Sequence, residues 1–97
     1  MRKKNTETIG EVLKQFFSEN QFFRQKFAES RVITSWSIVL GKSLASYTTN
    51  IYMRNGTLYV NLSSSVLRSE LMMAKDLLIK KLNDQAGLAV VKDIIFR

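Results

Sequence analysis

The chain has 97 residues, in which 15 Lys and Arg oppose 8 Asp and Glu, for a formal net charge of +7 and an isoelectric point near 10.0. It contains no cysteine and no histidine, which excludes disulfides and thiolate metal sites and removes the commonest general base and metal ligand. A chain this short is expected to form one domain over 1–97, burying roughly 60–70% of its unfolded surface, and its positive surplus attracts polyanions, nucleic acid first among them.

No apolar run approaches the ~18 residues that a membrane span needs, and Met1-Arg2-Lys3-Lys4 leads into no signal-peptide stretch. A cytoplasmic protein is expected, with no membrane partner. Residues 1–7 read as a flexible basic N-terminus in which Arg2, Lys3 and Lys4 are solvated. Proline is absent, so the four glycines, Gly10, Gly41, Gly56 and Gly87, serve as the punctuation.

Thr8-Ile9-Gly10-Glu11 fits a capping box, in which hydroxyl and carboxylate satisfy free N–H groups at a helix start. Ile9, Val12, Leu13, Phe16 and Phe17 then recur at helical spacing and predict a helix to about Asn20. A second amphipathic stretch holds Phe22, Phe23 and Phe27. A third holds Val32, Ile33, Trp36, Val39 and Leu40, closed by Gly41 as a left-handed cap. Ser43 to Tyr47 adds a short helical turn.

Two alternating segments, 49–54 and 57–62, flank Asn55-Gly56. An Asn-Gly pair suits a type I′ hairpin turn, whose central residues both need positive φ. That turn sets the register: Arg54 opposite Thr57, Met53 opposite Leu58, Tyr52 opposite Tyr59, Ile51 opposite Val60. Ile51, Met53, Leu58, Val60 and Leu62 then share the buried face, and Tyr52, Arg54, Tyr59 and Asn61 point away from it. Ser63-Ser64-Ser65 ends the strand and caps one long helix, on which Leu67, Leu71, Ala74, Leu78 and Leu82 form a stripe widened by Val66, Met73 and Leu77. Lys80 and Asp84 stand at i,i+4. Gly87 closes this helix, and Val90 to Phe96 is the final strand. The order ααα-ββ-α-β predicts an α+β two-layer sandwich, helices over one face of a three-stranded sheet.

Nothing in the chain spells a catalyst. The serines have no histidine to activate them, the acids are scattered, and neither a Walker loop nor a Gly-x-Gly-x-x-Gly cradle occurs. No cofactor, metal or small-molecule substrate is expected. Binding is another matter. Arg54 at the hairpin tip, with Arg68, Lys75, Lys80 and Lys81 on the long helix, are the candidate phosphate contacts, each of which as a lone residue is ordinarily a solvated side chain. Tyr52 and Tyr59 on the open sheet face are candidates for base stacking or a partner, beside the simpler role of a stabilising cross-strand pair. Trp36 lies on the apolar stripe and reads as core.

Several segments, in order, resemble one family. Trp36-Ser37-Ile38-Val39-Leu40-Gly41 is followed by Leu44-Ala45-Ser46-Tyr47-Thr48-Thr49, then by the hairpin Asn55-Gly56-Thr57-Leu58-Tyr59-Val60. Ser64-Ser65-Val66-Leu67-Arg68-Ser69-Glu70-Leu71 is similar to the family's helix start with its Glu-Leu pair, and Ile94-Ile95-Phe96-Arg97 to its close. Together they resemble the bacterial DciA family from about Ile9 to Arg97. The resemblance implies a KH-like fold, a role in assisting or loading the replicative DNA helicase, and largely electrostatic binding of DNA, single-stranded or duplex. Two departures stand out: Leu67 occupies a position where many members carry an aromatic, and the Gly-x-x-Gly loop of true KH domains is absent. Many members also continue into a flexible segment used in helicase contact, whereas this sequence ends at Arg97. A protein–protein adaptor with a basic surface, or an RNA-binding KH-like module, are the alternatives that the same residues allow.

Overall fold

The computed structural model describes residues 9–97. Thr8 of the expected capping box, and the basic cluster Arg2, Lys3 and Lys4, lie outside the described residues. Two long helices come first, α1 (Ile9–Glu19) and α2 (Gln21–Leu40), then a single turn α3 (Lys42–Ala45). Strands β1 (Thr48–Arg54) and β2 (Thr57–Leu62) precede helices α4 (Ser65–Met73) and α5 (Lys75–Ala86), and β3 (Asp93–Phe96) closes the order. The fold is α+β, helices on one face of a three-stranded sheet.

The second and third helical stretches of the sequence are one helix. Asn20 starts it, its side-chain Oδ1 accepting from the Phe23 N–H at 3.0 Å, a cap that supplies a free helix-start donor with its acceptor. Nothing between Phe27 and Val32 interrupts the backbone ladder. Along α2, Ala28, Val32 and Trp36 are buried, and Trp36 meets the expectation of a core role: its indole N–H donates to Thr48 Oγ1 at 2.9 Å, so the one polar atom of the ring is satisfied inside the core.

The hairpin has the register that Asn55-Gly56 predicts, with Arg54 opposite Thr57, Met53 opposite Leu58, Tyr52 opposite Tyr59 and Ile51 opposite Val60. Both central residues have positive φ, 51° at Asn55 and 83° at Gly56, as a type I′ turn requires. Strand order is β1-β2-β3, β3 running parallel to β2. Leu58, Val60 and Ile94 are fully buried on the helix side.

The expected single long helix is two helices. Ala74 has φ −103° and ψ 15°, outside the helical basin, and its N–H donates to Leu71 O in the tighter i−3 pattern. Packing explains the break. A continuous helix over 65–86 would run about 33 Å, against about 23 Å for the longest strand. Instead α4 packs on β2 and β3, and α5 turns onto α2. Leu71, Leu78 and Leu82 are buried as expected, but Val66, Met73 and Leu77 stand exposed, each off the buried face of its own helix.

The last strand is shorter than the sequence suggested: Val90 and Val91 are buried but precede β3. Asn83 takes the place of a neighbouring strand, its Nδ2 donating to Val91 O at 3.1 Å and its Oδ1 accepting from Val91 N–H at 2.8 Å.

Candidate nucleic-acid interface

The five cations singled out in the sequence do not form one surface. Arg54 is exposed at the hairpin tip. Arg68 is half-buried and donates through Nη2 to the Leu62 carbonyl at 3.1 Å, tying α4 to the end of β2. Lys75 pairs with Asp93 at 3.1 Å, fastening α5 to β3, and Lys80 pairs with Asp84 at 3.3 Å, the expected i,i+4 contact. Lys81 is exposed, beside Ile38 and Val39 of α2. Arg68 and Lys75 thus tie elements of the fold together, Lys80 is paired within its own helix, and Arg54 and Lys81 make no ion pair among the described residues. The Lys75 ammonium, with the Ile94 N–H as second cause, holds the Asp93 carboxyl below its ordinary value.

Tyr52 and Tyr59 stack across β1 and β2, ring centroids 4.8 Å apart and 11° from parallel. The Arg97 guanidinium lies 4.9 Å from the Tyr59 centroid. A base that stacks on Tyr59 therefore meets two groups already packed against that ring, Tyr52 and Arg97. The serine run divides its work as expected of a strand end and cap: Ser63 Oγ donates to Tyr47 O at 3.2 Å, and Ser64 Oγ accepts from Leu67 N–H at 3.1 Å.

A further basic surface gathers cations not singled out in the sequence. A groove of about 400 Å³ opens between the first turns of α2, the hairpin tip and the segment after α5; Arg24 and Lys92 line it with Gln21, Gln25 and Asn55. It exists because three local structures converge. The Asn20 cap starts α2 at this edge, Gly87 ends α5 in the left-handed conformation at φ 77° and ψ 10°, and the Lys92 N–H fastens the hairpin tip through Gly56 O at 2.7 Å. A neighbouring groove of about 600 Å³ shares Arg24 and Leu88 and adds Lys14 and Arg31, with Leu13 and Phe27 on its wall.

Four cations therefore line two adjoining grooves, without a single carboxylate in either lining. None of the four makes an ion pair among the described residues. Like charges gathered in a concave surface raise the local potential, and an anion that enters relieves their mutual repulsion. Amide side chains beside Arg24 and Lys92 add donors for phosphate or sugar oxygens. Arg24 and Arg31 stand two helical turns apart, and this i,i+7 spacing is a signal the sequence did carry. Lys14 and Lys92 carry none, lying 78 positions apart (92 − 14). Among the described residues no group of His, Asp or Glu could hold a metal ion, and no helix is long and apolar enough to cross a membrane.

A family model described as Dna[CI] antecedent, DciA matches residues 8–96. No curated protein and no solved structure matches the chain.

Proposed function

This chain belongs to the DciA family, which is associated with loading of the replicative helicase, and from that premise we propose that it is a non-enzymatic, cytoplasmic accessory of DNA replication that holds DNA by its phosphates. The observation that carries the DNA-binding part is the carboxylate-free groove lined by Arg24 and Lys92, with the exposed Arg54 next in the chain to Asn55 of its lining. Lys80 and Lys81, on the outer side of α5, are a weaker second contact. The placement of helices on one face of a three-stranded sheet supports a KH-like reading of this single domain. Backbone recognition here is electrostatic, since the α4–α5 junction Met73-Ala74-Lys75 offers no Gly-x-x-Gly clamp for nucleotides.

A binding series with single-stranded DNA, duplex DNA and RNA across salt, repeated with purified replicative helicase, tests this function. On single strands, log affinity should fall with log salt by about 0.7 per phosphate contact, so reversing Arg24 and Lys92 together should flatten that slope by about 1.4. The double change Lys80→Glu, Lys81→Glu should weaken binding less. Affinity that ignores salt, or loses nothing when Arg24 and Lys92 are reversed, would remove the groove as the site. RNA favoured over DNA of one sequence would replace the replication role with RNA binding.

A further inference from the structure

We propose that the neighbouring groove, between α1 and α2, docks an amphipathic helix with acidic flanks from a protein partner. The proposal deepens the helicase-accessory function, on which it rests for the identity of that partner. Helix α1 carries its apolar stripe in the open: Val12 is 51% exposed, and Leu13 and Phe16 are each 42% exposed. The first half of α2 continues the surface with Phe23 at 50% and Phe27 at 45%, although Val32 and Trp36 on the same helix are at 0% and 3%. Of these side chains Leu13 and Phe27 line the groove itself, and apolar side chains left exposed together on a small protein mark a place where something binds.

The chemistry of the occupant follows from the rim. Lys14, Arg24 and Arg31 border the groove and no carboxylate lines it, so the occupant brings negative charge beside its apolar stripe. A second copy of this chain would bring another +7 and is disfavoured. Nucleic acid would satisfy the cations but not the rest: Leu13 on the groove wall is aliphatic and offers no face to a base. Phe16 and Phe23 already pack edge to face at 5.0 Å and 76°. A trough between two helices accepts a third through residues at i, i+3, i+4 and i+7. Arg24 lines this groove and the phosphate groove alike, so the two occupants compete for one guanidinium.

The test uses two synthetic, fluorescein-labelled helical peptides, both with a leucine stripe, one flanked by glutamates and the other by lysines. Anisotropy with the whole chain should show the acidic peptide binding and its basic twin at least tenfold weaker. Lys14→Glu should weaken the acidic peptide at least fivefold and single-stranded DNA by much less; Lys92→Glu should do the reverse. Leu13→Asp, checked for unchanged helix content, should also lose the peptide. No binding of the acidic peptide, equal binding of both peptides, or full binding by both Lys14→Glu and Leu13→Asp would overturn the docking groove. Added replicative helicase should displace the bound peptide. Peptide that binds but is not displaced would leave the groove standing and overturn the helicase partnership instead.

Discussion

The Lys92 N–H donates to the Gly56 carbonyl at 2.7 Å, with the Asp93 N–H on the same oxygen at 3.3 Å, so the hairpin tip is fastened to the chain entering β3. That clasp joins the first two strands to the third before their ladder begins. It also sets the width of the groove in which Lys92 meets Arg24.

Gly56→Ala should loosen this clasp. A Cβ there would lie 3.1 Å from Lys92 Cγ and would be carried at φ +83°. Left-handed backbone costs an L-residue roughly 1–2 kcal/mol, and urea denaturation should show a loss of about that size. DNA affinity should fall with it, because Lys92 must shift.

Asn83→Ala should be more damaging than its half-buried position suggests. Its side chain serves both the N–H and the carbonyl of Val91, a residue 3% exposed. Leaving buried backbone groups without partners costs about 1–3 kcal/mol. Asn83→Leu should do no better, since added apolar volume restores neither bond. Hydrogen exchange at Val91 should quicken in both variants.

Thr48→Val tests the one polar contact of the buried indole. The change keeps shape and removes the acceptor 2.9 Å from Trp36 Nε1. An unpaired indole N–H in the core should lower stability by about 1–3 kcal/mol, read by thermal unfolding of matched samples.

Asp93 makes the α5–β3 tie sensitive to acid. Its carboxylate accepts from Lys75 at 3.1 Å and from the Ile94 N–H at 2.8 Å, Lys75 being the larger cause of a value below the ordinary 3.8. A folded-state value below the unfolded one means that stability is gained above the unfolded value and lost as pH falls through the folded one. Asp93→Asn should therefore lower the denaturant midpoint at neutral pH and match the parent once both are well below 3.8. A constant difference across that range would show that the carboxylate's charge is not the cause.

Much of the fold was legible because its signals are local. Asn55-Gly56 sets a turn whose two residues need positive φ, and a two-residue turn leaves only one register. The buried alternation Leu58, Val60, Leu62 and the core role of Trp36 follow from periodicity in the same way. The break at Ala74 was not legible, for alanine is the best helix former and nothing in its neighbourhood signals an end. It comes from α4 and α5 packing on different partners. The division between α1 and α2 at Asn20 was legible, but the joining of the second and third stretches into α2 was not, because nothing between Phe27 and Val32 either marks or forbids a break.

The sequence by itself determined that the protein is basic, mixed in structure, free of disulfide and thiolate chemistry, and built around one hairpin of known register. Tertiary structure alone decided where the charge gathers. Arg68 and Lys75, chosen from the sequence, are taken up by a carbonyl and a carboxylate, while Lys14, Arg24, Arg31 and Lys92 converge from distant segments on adjoining grooves. Composition and periodicity are properties of neighbouring residues, but an electrostatic surface is a property of distances through space, and those exist only after the chain has closed on itself.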